Sequence, residues 1–320
     1  PLSRNFYFEN CCCFNAIDVV SRYPTGLPFS QRRSQDAVVF LLHLWREMGV
    51  PTYTQVDNEG CFSGGMTHRH VLGKVVRLAL AVGTELVLSP VGHPKSNGTV
   101  ERFHQEYTRH VWKDTYLAGL EDVAAQTKAF LTDYRQYQDH SALDGKTPEA
   151  LHTQAAPGQL PVNFALTEGK MPLTEGKVHF MRQVSPDGQV RVLNVHWTVP
   201  EPNPLQGVWV TIDFQITGAT LSIFDAAPDV VDRRCLASYP FPLREPVHPR
   251  PQSQPAEMIT QTDTLCESAH SPDEISCPAN IPRSLPERQP TRWRITSTSI
   301  LSAAVYHTVH LTSRAFFTMY

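Results

Sequence analysis

Residues 89–112 read SPVGHPKSNGTVERFHQEYTRHVW, and the two halves of this run obey different physics. Ser89 to Gly98 is loop chemistry: Pro90 and Pro94 fix φ and lack an N–H, while Gly92, Asn97 and Gly98 tolerate unusual backbone angles. From Thr99 onward, Val100, Phe103, Tyr107 and Val111 recur at helical spacing, which predicts a helix with one apolar stripe. Glu101 falls in its first turn, where the helix dipole favours a carboxylate by roughly 0.3–1 kcal/mol. That effect alone accounts for an acid at this place. A second reading rests on its neighbours. Gln105 and Thr108 follow on the same strip, with Arg102, Arg109 and Lys113 close by, so the acid is surrounded by groups able to meet a phosphate backbone.

Working outward, Glu85 to Leu88 reads as a strand, Val71 to Val82 as a helix and Thr52 to Val56 as a strand that runs into Asp57-Asn58-Glu59-Gly60. An acid at a strand's C-terminal end, followed by a glycine-containing loop, is where α/β sheets place ligands. A turn-forming Asp-Asn is the plain alternative. Further upstream, residues 6–20 read as a hairpin whose second strand is Phe14 to Val20, followed by a turn at Ser21–Gly26 and a strand at Leu27–Phe29. Ser34 is a good N-cap for a helix carrying Ala37, Val38, Phe40, Leu41, Leu44, Trp45 and Met48, which Gly49 and Pro51 close. This order of elements suits a mixed α/β domain.

Pro94-Lys95-Ser96-Asn97-Gly98-Thr99-Val100-Glu101-Arg102-Phe103-His104 resembles the third-carboxylate motif of the retroviral integrase and insertion-sequence transposase catalytic core. Val56-Asp57-Asn58-Glu59-Gly60-Cys61-Phe62-Ser63 resembles its second-acid motif, and Ile17-Asp18-Val19-Val20-Ser21-Arg22 a further, non-catalytic one. The resemblance implies an RNase H-like mixed sheet flanked by helices. Asp57 and Glu101 would then be catalytic and metal-binding acids, with Mg²⁺ or Mn²⁺ as cofactor. Lys95, Asn97, Arg102, Gln105 and Arg109 would be DNA-binding, with DNA and further copies of the chain, or an active transposase, as partners. Mg²⁺ is a hard cation that takes oxygen ligands, and a metal pair of this kind drives in-line phosphoryl transfer. The family's first acid lies about 14 residues before the position of Asp18, where Arg4 stands among Leu2, Ser3, Asn5 and Phe6. The nearest acid is Glu9. This implies a degenerate enzyme that begins inside the family's first strand. The alternative is a non-catalytic DNA- or protein-binding remnant of a transposase.

Beyond Glu101, Glu121 to Tyr137 reads as a helix, and Thr147-Pro148 as the cap and first position of a short one. Residues 1–154 are therefore expected to form the core and 155–175 a linker. After Lys177 the period changes to two, with candidate strands at Val178–Val184, Gln189–Thr198, Gly207–Phe214, Thr220–Phe224 and Cys235–Tyr239. Residues 176–244 resemble the SH3-like β-barrel that follows the core in this family, where Arg182, Arg191 and His196 are either phosphate contacts or solvated strand residues. From 245 to 320, Pro, Ser, Thr and Gln dominate and then an apolar stretch with no partner pattern follows, so a disordered or unrelated tail is expected.

Composition sets outer limits. With 320 residues, 41% apolar and 18% charged, the chain supports a packed core and about two domains. A formal net charge of −3 lends nucleic-acid binding no global support, so it must come from local patches. The seven cysteines show no CxxC spacing, so neither structural zinc nor a disulfide framework is expected. His68 and His70 have no third ligand nearby. No apolar run reaches the roughly 18 residues that span a bilayer, and a cytoplasmic, nucleoid-associated protein is expected.

Overall fold

The computed structural model describes residues 11–64, 69–89, 98–113, 117–138, 140–152, 158–160, 164–166, 169–200, 204–250 and 314–319. All of these fall in one unit, residues 1–253 with 310–320; residues 254–309 form a second. The first half builds β1 (Cys12–Asp18), β2 (Pro24–Phe29), α1 (Ser34–Met48), β3 (Tyr53–Val56), α2 (Gly60–Ser63), α3 (Lys74–Val82) and β4 (Glu85–Leu88). Then come α4 (Gly98–Tyr107), which continues as a π-helical turn over Thr108–Trp112, and α5 (Leu120–Tyr137) and α6 (Pro148–His152). The second half is nearly all strand: β5 (Leu173–Thr174), β6 (Gly176–Gln183), β7 (Gln189–Val192), β8 (Val195–Thr198), β9 (Gly207–Gln215), β10 (Gly218–Phe224), β11 (Cys235–Phe241), β12 (Val247–His248) and β13 (Arg314–Met319).

Nine strands form one mixed sheet in the order β11-β10-β9-β6-β4-β3-β13-β1-β2. Helices cover both of its faces, because strand residues alternate between two cores. Cys12, Phe14, Ala16 and Val56 join Phe40, Trp45 and Leu78 of α1 and α3 on one side. Cys13 and Ile17 join Val100, Phe103 and Tyr107 of α4, and Leu131 and Tyr134 of α5, on the other. The mixed α/β architecture expected from the sequence is thus the one observed. Helix α1 begins at Ser34, but Arg33 rather than Ser34 is its cap, and the Asp36 carboxylate accepts from the Arg33 N–H at 3.2 Å.

Two parts of the 245–320 segment are described. Residues 245–250 are held to the body: β12 pairs in parallel with β5, and the Glu245 carboxylate accepts from the buried Arg77 guanidinium of α3 at 3.0 Å. Arg314–Met319, expected to lack order, is the strand between β1 and β3. It runs antiparallel to β1 and parallel to β3. Backbone groups buried between two strands must be paired, and this segment pairs with both edges.

The expected small barrel also shares the core's sheet. Strands β6, β9, β10 and β11 form an antiparallel meander, but β6 pairs in parallel with β4, Leu86 opposite Val178. A buried imidazole stitches the junction: His179 Nε2 lies 2.6 Å from Glu85 Oε2 of β4, and Nδ1 lies 2.9 Å from Thr211 Oγ1 of β9. The β7–β8 hairpin folds over the meander, with Tyr239 Oη donating to Thr198 O at 2.7 Å and the Trp197 ring 5.5 Å from that of Tyr239. The described strand pairings do not close it into a barrel. Residues 189–198, expected as one strand, break at Leu193-Asn194, whose φ values of 48° and 60° make a two-residue turn.

Glu47 joins three elements. From α1 it accepts from Thr25 Oγ1 of β2, and Arg135 Nη2 of α5 lies 2.6 Å from its other oxygen. Burial raises its pKa, but the bonds from His43, Thr25 and Arg135 outweigh that and hold it at about 2. A folded-state value below the ordinary carboxylate value of 4.5 contributes stability that is present above that pH and lost as pH falls toward 2. Glu47→Gln is therefore expected to lower the denaturation midpoint at pH 7 and to flatten the acid limb of the stability curve. An unchanged acid limb in the variant would exclude this role.

Candidate active site

Strand β3 ends at Val56, whose buried side chain faces α1, so alternation turns the next residue, Asp57, toward the α4 side of the sheet. Phe316 of β13 lies opposite both Gln55 of β3 and Ile17 of β1. Two residues on, Thr318 lies opposite Asn15, while the pairing of β13 with β3 ends at Gln55, two residues short of Asp57. Asn15 is 1% exposed and neither atom of its amide has a hydrogen-bond partner. It leans over Gly26 of β2, where a Cβ would come within 2.2 Å of its Oδ1.

Helix α4 carries Glu101 over this same side. Its two ends are pinned to the hairpin below: Arg22 Nη1 donates to Thr99 Oγ1 at 2.6 Å, and Tyr107 Oη donates to Cys13 Sγ at 3.0 Å. Asn15 lies between these anchors along the hairpin, and Glu101 lies between them along the helix. Both carboxylates are half-buried. They are oxygen donors only, which fits a hydrated hard cation. Among the described residues no group of three His, Cys, Asp or Glu side chains is arranged to hold a metal ion. Neither Asn15 nor any residue of Arg314–Met319 adds an acid to the row.

Arg102, Gln105 and Arg109 are exposed and, at spacings of three and four, share the outer face of α4 and its π-helical extension. Arg109 Nη1 lies 3.9 Å from Glu106 Oε2. Lys95 and Asn97 fall outside the described residues. Asp18 is committed to its turn, accepting from the Val20 N–H at 2.9 Å and from Ser21 Oγ at 2.8 Å. Its other neighbour is His152, whose ring stacks on Tyr23 at 4.3 Å. His70 packs edge-on against Phe241 at 5.4 Å, and burial pushes its pKa down. It is therefore an aromatic contact, while His68 lies outside the described residues.

One residue of the neighbourhood is neither of the two things the sequence offers for it, a phosphate contact or a solvated strand residue. Arg182 of β6 donates from Nη2 to Asn58 Oδ1 at 3.0 Å, from Nε to Arg191 O at 3.0 Å and from Nη1 to Met181 O at 2.7 Å. Its guanidinium lies 5.1 Å above the Phe180 ring, and burial lowers its pKa to about 10. With these donors engaged inside the protein, Arg182 braces the loop that carries Asp57. Nothing local in the sequence signals this, because the partners are 124 residues apart.

Residues 82–148 match the family model described as integrase core domain, from the end of α3 through α4 and α5 to the start of α6. Over that stretch the chain is similar to the integrase and transposase family. Among solved structures, it is similar to the simian T-cell lymphotropic virus intasome in complex with PP2A regulatory subunit B56 gamma. The identity is 14%, with 72% of this chain and 70% of that one covered and a TM-score of 0.36. The HTLV-2 integrase catalytic core in complex with magnesium, in its dimeric form, gives 17% identity, 44% and 84% coverage and a TM-score of 0.34. Its trimeric form gives 17%, 46% and 88%, and 0.35. No curated protein matches the chain.

Asn58→Ala leaves the half-buried Arg182 one acceptor short and is expected to cost about 0.5–1.5 kcal/mol in chemical denaturation. It should also speed amide exchange across residues 57–60. Exchange there at the parent rate would show that Arg182 does not brace the loop.

Proposed function

We propose that this chain is an integrase- or transposase-type protein that engages DNA on the α4 side of its sheet, with strand transfer impaired. The match of residues 82–148 to the integrase core domain carries the reading. It covers Glu101 and the outer stripe of Arg102, Gln105 and Arg109, the groups suited to a phosphate backbone. In this reading Asp57 and Glu101 hold Mg²⁺ or Mn²⁺, which neutralises phosphate charge and activates a water or a 3′-hydroxyl. The chain's own residues supply the rest. Arg182 and Asn58 fix the Asp57 loop, while Arg22 and Cys13 fix the pitch of α4.

The impairment follows from the central row. A pair of metals held for in-line displacement depends on the charge and geometry of its carboxylates. Here no residue of Arg314–Met319 is an acid, and β1 offers Asn15. Two acids bind a hydrated cation more weakly than three and hold it in more than one geometry. DNA binding does not depend on that row, so a chain of this kind still joins DNA and further copies of itself or an active relative.

Gel-shift titration across salt concentrations tests the binding half. The double replacement of Arg102 and Arg109 by Gln is expected to reduce the slope of log affinity against log salt by about 2. An identical slope would place the DNA elsewhere. Incubation with end-labelled DNA and Mn²⁺ tests the other half. Little processing or joining is expected, and vigorous products that disappear with Asp57→Ala would overturn the impairment while leaving the binding reading intact.

A further inference from the structure

Strand β13 comes from the far end of the chain, separated from β12 by residues 249–313, yet it fills the middle of the sheet. Its pairing with β1 spans Phe14 opposite Met319 to Asp18 opposite Ala315, and its pairing with β3 spans Tyr53 opposite Arg314 to Gln55 opposite Phe316. Without it, β1 and β3 would face each other across a gap about two strand spacings, roughly 10 Å, wide. Each would present a row of unpaired N–H and C=O groups toward the other. The walls of that gap are otherwise complete. Strand β1 is held on its far side by β2, strand β3 is held on its far side by β4, and α4 lies over the sheet at this point.

The gap recognises main chain first. An occupant needs an extended backbone running antiparallel to β1, and its side chains matter mostly by size. One position adds chemistry. The Asn15 amide, buried and with neither atom partnered, lies in the row of Thr318. It offers both a donor and an acceptor to whatever residue stands there.

We propose that the space between β1 and β3 is a strand-acceptor site, and that residues 314–319 are its self-donated and exchangeable occupant. The ligand class is an extended peptide of about six residues, matching one strand of ordinary length. It carries a short hydrogen-bonding residue in the row of Asn15. This holds whether or not the protein acts on DNA, since it rests on strand pairing alone. The long connection favours exchange. Closing a loop costs only about 0.6 kcal/mol more for each doubling of its length, so the tether adds little strain to the docked strand.

The experiment uses the full chain with a specific protease site placed within residues 254–309 and cut after folding. The fragment bearing residues 310–320 is expected to stay with the body through size-exclusion chromatography. A fluorescent peptide of residues 310–320 is expected to replace it over time. The same peptide carrying Phe316→Pro, which removes a ladder N–H, is expected to bind about tenfold more weakly or worse. Loss of the fragment with no uptake of the peptide would overturn the proposal. The uncut chain provides an independent reading: the amides of residues 315–318 should exchange as slowly as those of β1, and exchange at unfolded-chain rates would overturn it equally.

Discussion

A buried backbone edge must be paired, and in this sheet the edges of β1 and β3 face inward. An unpaired buried donor or acceptor costs about 1–3 kcal/mol. A gap between two strands would expose several such groups at the centre of the protein. Strand β13 meets this requirement and does more than fill space. It is antiparallel to β1 and parallel to β3, so it is the strand at which the sheet changes from the hairpin's alternating direction to the parallel half. Both cores depend on that join, because Phe14 and Val56 meet on one face only if β1 and β3 belong to one sheet.

The parts of the fold that follow from local pattern were legible in the sequence. The apolar stripe of α1, the helix α5 and the acid at the end of β3 need only periodicity and a turn signal. What was illegible is non-local. Arg314–Met319 is a short apolar run whose partners lie some 300 residues earlier, so no window of sequence contains the pairing. The junction of β6 with β4 has the same character, resting on His179 reaching across to Glu85 and Thr211. Leu193 concealed a turn for another reason. Leucine rarely adopts positive φ, so Asn194 alone carried the signal, and the run of Val and Trp around it outweighed that one residue.

The candidate site divides in the same way. Asp57 and Glu101 were legible as acids at the ends of elements, because strand ends and first helical turns are where carboxylates act. Their support was not. Arg182 reaches the Asp57 loop from the opposite half of the chain, and its charge is held in place by carbonyl and amide oxygens and by the Phe180 face. A guanidinium held in this way is half-buried and spends its donors on the protein's own oxygens. The cations of α4 stay exposed, as do Arg191 and His196. This is also how a chain with a net charge of −3 can present a local surface suited to a polyanion.

The chemistry of such a site then turns on one row across the sheet. Asp57 follows the last residue of β3, and Asn15 sits in β1. Between them the central strand decides what is added. An uncharged residue there adds no acid to Asp57 and Glu101. A carboxylate there would add a second acid directly beside the first, raising affinity for a hard cation and narrowing its geometry. Because the central strand is not continuous with its neighbours in sequence, its identity is the least constrained part of the sheet. The backbone requires some strand in that place but makes no demand on the residue it presents to Asp57. Fold and chemistry are therefore separable here: the same main-chain pairing preserves the sheet whether or not the row can support phosphoryl transfer.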